Sequence, residues 1–281
     1  MIRGGRGIEL KSPSQFLAMR RAGLVVERAL TQTIAAAKPG ATTQDLNDVA
    51  ADVIASAGAT PSFLNYGAGP SMPGFPGVVC ISVNEVIVHG IPGDRVLQEG
   101  DLVSIDCGAI IDGWHGDAAR TCFVGEPAAE LAELSRVTEE ALWRGISAVR
   151  RGGRVRDIGA AIDDWVSEQE RTYGIVTEFV GHGIGSAMHQ VPDVPNFRHS
   201  GRSPKIVPGM ALAIEPMLTL GDPSNVTLED EWTVVTRDSS PAAHWEHTVA
   251  VTDTGLWILT APDGGEEMLT KRGLPFGPLG D

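Results

Sequence analysis

The stretch GDLVSIDCGAIIDGWHGDAARTCFV, Gly100 to Val124, decides the fold. Asp112-Gly113 lies between two runs of apolar and β-branched residues, and Asp-Gly suits the type I′ turn whose twist matches paired antiparallel strands. The spacing predicts a hairpin with 112 and 113 as its turn residues, which sets Gly108 opposite Asp117 and Cys107 opposite Ala118. Asp106 shares a face with Gly108, so Asp106 and Asp117 become diagonal neighbours, about 7–8 Å apart at the backbone. Two uncompensated carboxylates on one face repel, so solvent or a bound cation must offset them. Taken alone, the pair is as well explained by a solvated face.

The opening of this stretch recurs further along the chain. GDLVSID (Gly100 to Asp106) lines up with GMALAIE (Gly209 to Glu215), and GATTQDLNDVAADVI (Gly40 to Ile54) with GGRVRDIGAAIDDWV (Gly152 to Val166). Each half also carries a His-Gly-Ile between its two blocks, at His89 and at His182. The shared order points to a duplicated α+β unit, with Asp106 and Glu215 as counterparts across a pseudo-two-fold axis.

Around these blocks the chain reads as helices, strands and one unusual loop. Ser12-Pro13-Ser14-Gln15 supplies a cap, a Pro at the first helical position and a Gln that reaches back. Met19, Ala22, Val26, Ala29 and Leu30 continue one apolar face until Pro39-Gly40 breaks it. A second helix is predicted over 43–57, and two more over about 127–150 and 156–170. Val78 to Val83 reads as a strand. Tyr66 to Gly77 is rich in Gly and Pro, hence a surface loop or a site wall. Beyond Pro262 a loosely held tail is expected.

A chain of 281 residues can bury a sizeable core and exceeds the size at which one core usually splits, so one large domain or two joined halves is expected. With 42% hydrophobic and 21% charged residues, disordered and fibrous classes are excluded. A net charge of −14 opposes any grip on phosphate backbones, so no direct nucleic-acid binding is expected. Cys80, Cys107 and Cys122 lack the paired spacing of zinc or redox motifs, and neither a membrane span nor a signal segment is evident. These features predict a cytoplasmic chain, complete as written and free of membranes.

The second half adds His182 in GHGIG, Glu215 at the end of the apolar run Met210 to Ile214, and Glu246 within AHWEHTV. Both glutamates interrupt apolar runs, where an ionised group is costly unless it meets a metal or a partner. Four carboxylates and an imidazole suit two divalent ions such as Mn²⁺, Fe²⁺, Co²⁺ or Zn²⁺, and such a site suggests a two-metal hydrolase. Singly, each signal has a blander explanation. GHGIG is a common Gly-rich turn, Cys80 a small buried hydrophobe, Met188 and Trp232 core residues. His115, His199, His244 and His247 carry no claim beyond structure or surface.

The run VVCISVNEVIVHGIPGDRVLQEGDLVSIDCGAIIDGWHGDAART, with GHGIGSAMHQVPDVPN, ALAIEPM and HWEHTVAVT, closely resembles the type I methionine aminopeptidases. The resemblance spans about Ser12 to Thr260 and implies the pita-bread α+β fold around a dinuclear metal site. The chain then divides as one catalytic domain over 1–281, with a core at 12–260, a short extension at 1–11 and a tail at 262–281. The type II branch would need a long insertion between His182 and Glu246, and the chain has no room for it.

By this resemblance the ligands are Asp106, Asp117, His182, Glu215 and Glu246. Asp117 and Glu246 bridge the ions, His182 and Glu215 complete one, and Asp106 holds the other. Glu215 accepts the proton of the attacking water, His189 stabilises the oxyanion, and His89 contacts the substrate amide. Phe75, Cys80, His89, Met188 and Trp232 match the methionine pocket, while Asn84, Val86 and Ala242 match a monovalent-cation loop. The implied activity is removal of the initiator methionine when the second residue is small. The implied partner is a peptide or nascent-chain N-terminus, met by a monomer that touches the ribosome transiently through the catalytic domain's own surface. The rivals are a proline-directed aminopeptidase or dipeptidase of the same fold, and a non-catalytic peptide-binding module.

Overall fold

A computed structural model describes residues 7–70 and 72–280, so residues 1–6 of the expected extension lie outside the described residues. Helix α1 (Pro13–Ala36) starts at the predicted capping box: Gln15 N donates to Ser12 Oγ at 3.4 Å and Ser12 N to Gln15 Oε1 at 2.7 Å. Helix α2 (Thr43–Ser56) repeats the device with Thr42 and Asp45. These caps satisfy amide groups that a helix start leaves without partners. Both helices turn apolar residues, among them Val26, Leu30, Leu46 and Ile54, onto the first sheet.

That half of the chain contains strands β1 (Thr60–Pro61), β2 (Val79–Val83), β3 (Val86–Val88), β4 (Leu102–Ile111) and β5 (Trp114–Phe123). The β4–β5 hairpin has the predicted register, with Gly108 opposite Asp117 and Cys107 opposite Ala118. Asp112 and Gly113 both take positive φ, 51° and 79°, as a type I′ turn requires. On its other edge β4 pairs with β2 and β1.

Helices α3 (Ala129–Ser147) and α4 (Arg156–Ser167) open the second half, each within its predicted span. They are followed by β6 (Gly174–Ile175), β7 (Gly181–Gly183), β8 (Gln190–Val194), β9 (Ala211–Ile214), β10 (Met217–Thr219), β11 (Asn225–Thr227), β12 (Val234–Thr236), β13 (Ala242–His244), β14 (His247–Val251) and β15 (Leu256–Ile258). The main sheet here runs β15-β14-β9-β7-β8. Two small sheets, β13-β10-β6 and β11-β12-β3, flank it, and the second ties the two halves together. Like β4, β9 lies between two antiparallel neighbours, which is the arrangement the repeat predicts.

One part of the repeat does not hold. His182 lies in β7 opposite Ala213 of β9, and the residue that stands in that relation to β4 is Ser82, opposite Ser104. His89 instead follows β3, in another sheet. The two His-Gly-Ile triplets are therefore not counterparts.

Helix α1 crosses the sheet closely because glycine meets glycine: a Cβ on Gly116 would lie 2.5 Å from the backbone N of Gly23. Arg20, nearly fully buried, donates from Nη1 to Leu259 O at 3.0 Å and from Nη2 to Pro262 O at 2.9 Å, fastening α1 to the end of the core. The expectation of a loose tail is corrected. Helix α5 (Glu266–Lys271) buries Leu269 completely, and the chain then returns to β15, with Leu256 N donating to Pro275 O at 2.8 Å. An apolar anchor and edge hydrogen bonds hold the segment expected to be loose. No described helix is long and apolar enough to cross a membrane.

Candidate metal centre

The inner faces of the two main sheets meet at a cavity of about 290 Å³. Its wall contains Phe75, Cys80, His89, Asp106, Asp117, His182, Met188, His189, Glu215, Trp232 and Glu246, so all the expected ligand, catalytic and pocket residues come together. The hairpin delivers Asp106 and Asp117, as its register predicts. Thr248 locks Asp117 in place, donating from Oγ1 to Asp117 O at 2.7 Å and accepting from Asp117 N at 3.2 Å. Glu246 N donates to Ala119 O at 2.9 Å, which pins the second half's carboxylate against the first half's hairpin.

His182 Nδ1 lies 3.1 Å from Gly183 O. A carbonyl only accepts, so Nδ1 carries the proton and Nε2 presents its lone pair to the acids, 3.5 Å from Glu215 Oε1 and 3.9 Å from Asp117 Oδ2. Burial lowers the pKa of this imidazole to about 4, which keeps it neutral and able to ligate. One ligand atom each from Asp117, His182 and Glu246 lies within 4.8 Å of the others.

The chemistry of the set fits divalent cations. Asp106 Oδ1, Asp117 Oδ1 and Glu246 Oε1 are buried without a hydrogen-bond partner, and no lysine or arginine lines the cavity among the described residues. Burial pushes all four carboxyls above their ordinary range, Asp106 and Glu215 to about 7. For Asp117 and Glu246 the neighbouring carboxylates add to the effect. Four acids so placed require positive charge that the protein itself does not supply.

Beside the acids, Phe63, Phe75, Cys80, Met188 and Trp232 form one apolar cluster. Phe75 meets Trp232 edge-on at 5.4 Å, and Trp232 Nε1 donates to Pro73 O at 3.1 Å, so the Gly/Pro-rich loop is a site wall. His89 stands edge-on to Trp232 at 6.2 Å and to Phe179 at 5.4 Å, with a left-handed φ of 58°. A non-glycine residue in that region is strained and is held by its surroundings. Asn84 lies away from this cavity: its side chain donates to Asp101 Oδ1 at 2.8 Å and accepts from Leu102 N at 2.9 Å, and its carbonyl accepts from Ala242 N at 2.8 Å.

Several contributors escaped the sequence reading. His244 lines the cavity with Nε2 3.6 Å from Glu215 Oε2. Strand alternation does not assign its face, because β13 ends at His244 and Glu246 lies beyond the end of that strand. Tyr66, whose hydroxyl lies 2.5 Å from His189 Nδ1, and the wall residues Phe63, Glu178 and Phe179 carried no local signal.

The sequence profile of metallopeptidase family M24 matches residues 17–253. Methionine aminopeptidase 1 of Mycobacterium tuberculosis is 49% identical over 264 residues, covering 92% of this chain and 97% of its own. The methionine aminopeptidase of Clostridium acetobutylicum is 47% identical, covering 90% and 98%. The crystal structure of the Thermotoga maritima methionine aminopeptidase superposes with a TM-score of 0.85 at 38% identity, over 90% of this chain and 99% of that one. With the pita-bread architecture and the buried acid cluster in place, this chain belongs to metallopeptidase family M24, among its methionine aminopeptidases.

Proposed function

We propose that the protein removes the N-terminal methionine from peptides and nascent proteins whose second residue is small, using two divalent ions (Co²⁺, Mn²⁺, Fe²⁺ or Zn²⁺) held by Asp106, Asp117, His182, Glu215 and Glu246. The observation that carries this reading is the adjacency of two unlike surfaces. Carboxylate oxygens without partners converge beside a cluster of aromatic and sulfur-bearing side chains. When bound, the ions would supply Lewis acidity and a water that ionises near neutral pH.

The chain's own groups then divide the remaining work. Glu215, flanked by His182 and His244, takes the proton of the attacking water. His189, whose Nδ1 lies 2.5 Å from the Tyr66 hydroxyl, offers a ring N–H to the oxyanion that forms at the scissile carbonyl. His89 is kept neutral by burial, its pKa lowered to about 4, and contacts the substrate amide. Phe75, Met188 and Trp232 receive the methionine thioether through soft sulfur–aromatic contacts, with Cys80 in the same apolar cluster.

The proposal extends to a cytoplasmic monomer that takes peptide or nascent-chain N-termini and touches the ribosome transiently, and to a monovalent cation at the loop of Asn84 and Val86, ligated by backbone carbonyls. The two rival readings gain less support: the curated relatives at 47% and 49% identity over about nine-tenths of this chain are named methionine aminopeptidases. A non-catalytic module would have no use for five converging ligands. The test is Met release from Met-Ala-Ser against Ala-Pro peptides, with the protein loaded in turn with each metal. Release from Met-Ala-Ser alone supports the reading, and no release with any metal overturns it.

A further inference from the structure

The segment before α1 touches the catalytic centre indirectly, through the loop that joins β7 to β8. Lys11 is the unusual residue here, a lysine whose side chain is only 2% exposed. A buried ammonium is costly unless partnered. Its Nζ donates to Glu9 O at 3.0 Å and to Gln190 Oε1 at 3.5 Å, and lies 3.5 Å from Glu9 Oε2. The Glu9 carboxylate in turn accepts from Ser186 Oγ at 2.6 Å, Ser186 N at 3.0 Å and Gln190 Nε2 at 3.0 Å. Lys11 N donates to Gly209 O at 2.7 Å, which anchors the segment next to β9.

The two ends of one loop are thus held by one carboxylate. Between Ser186 and Gln190 lie Met188 and His189, a wall of the thioether pocket and the group assigned to the oxyanion. The Gln190 amide is fixed in orientation because Glu9 can only accept from it and Lys11 can only donate to it. Gly185 makes room for the strap: a Cβ there would lie 2.2 Å from Glu9 Oε2 and 2.4 Å from Lys11 Cε. The described loop has little regular structure of its own, so these charge-assisted bonds set where it sits.

We propose that Glu9 and Lys11 are positioning residues for His189, fixing the 186–190 loop so that the imidazole meets the developing oxyanion. The inference rests on the proposed aminopeptidase activity, and wild-type Met release is therefore measured first. Misplacing a reacting group by about 1 Å can cost about 100-fold in rate. In the metal-loaded full chain, Glu9→Gln lowers kcat on Met-Ala-Ser about tenfold or more with the unfolding midpoint little changed. Ser186→Ala, at an exposed position, gives a smaller loss in the same direction. The decisive comparison is made in the His189→Ala background. A residue that acts through His189 has no further effect there, whereas a merely structural one lowers the residual rate by the same factor. Amide exchange over 185–190 should also quicken in Glu9→Gln while the core strands stay protected. Unchanged kcat and exchange in an active wild-type background, or equal losses with and without His189, would overturn the proposal. Absent Met release from the wild type would instead sink the activity itself.

Discussion

Replacing Asp117 by Asn should stabilise the metal-free protein at pH 8, although it damages the site. Asp117 is 3% exposed, its Oδ1 has no hydrogen-bond partner, and Asp106 and Glu215 both push its pKa upward on top of burial. Leaving a buried acceptor unsatisfied costs about 1–3 kcal/mol, more when it is charged. Taking about 2 kcal/mol as the relief, and about 2 °C per kcal/mol for a chain of this size, the midpoint should rise by about 4 °C in chelator.

The sign of the pH dependence follows from proton counting. Because the folded-state pKa values of the four carboxyls are raised, the folded state binds more protons than the unfolded one above the ordinary carboxylate range, so wild-type stability falls as pH rises. For Asp106 and Glu215 that window runs from their ordinary values of 3.8 and 4.5 to about 7. The advantage of Asp117→Asn is therefore present at pH 8 and lost at pH 4.5. Saturating Mn²⁺ should reverse the order, since a ligand at 100 times its Kd adds about 2.7 kcal/mol and the variant forfeits part of its affinity. Thermal unfolding with EDTA and with Mn²⁺, at pH 4.5 and 8, reads all four conditions. A lowered midpoint for Asp117→Asn in EDTA at pH 8, or a gain of equal size at both pH values, would refute the view that the acids are held apart from their counter-charge.

His189→Ala should reduce kcat on Met-Ala-Ser by about 100-fold or more, the scale of losing an oxyanion donor, while KM and the circular dichroism spectrum change little. Trp232→Ala opens the apolar pocket and should raise KM for Met-Ala-Ser more than it lowers kcat, measured by steady-state kinetics. Gly116→Ala forces a Cβ to within 2.5 Å of Gly23 N and should destabilise by about 1–3 kcal/mol in urea unfolding, a cost that neither added metal nor pH removes.

How much was legible from the chain depends on how local each signal was. The capping box at Ser12 and Gln15 and the turn at Asp112-Gly113 are set by residues within four positions of each other, and both formed as predicted. The hairpin register then carried Asp106 and Asp117 to one face with no further information, because side chains alternate with a period of two. His244 shows where this stops. It lies at the end of a three-residue strand whose course depends on β10, opposite Met217, and only that pairing turns its ring toward Glu215. The His-Gly-Ile triplets mislead for the same reason, since one enters β7 while the other follows β3 outside any strand.

The sequence by itself determined the two hairpin aspartates, the helices that back them and, through its duplicated blocks, a fold in two related halves. Only the tertiary structure decided which imidazoles face the acids, that Glu9 and Lys11 reach the His189 loop across about 180 residues of sequence, and that the tail packs through Leu269. Strand alternation and turn chemistry are properties of neighbouring residues. The burial of a charge, and the partner that offsets it, depend on segments that meet only when the halves close.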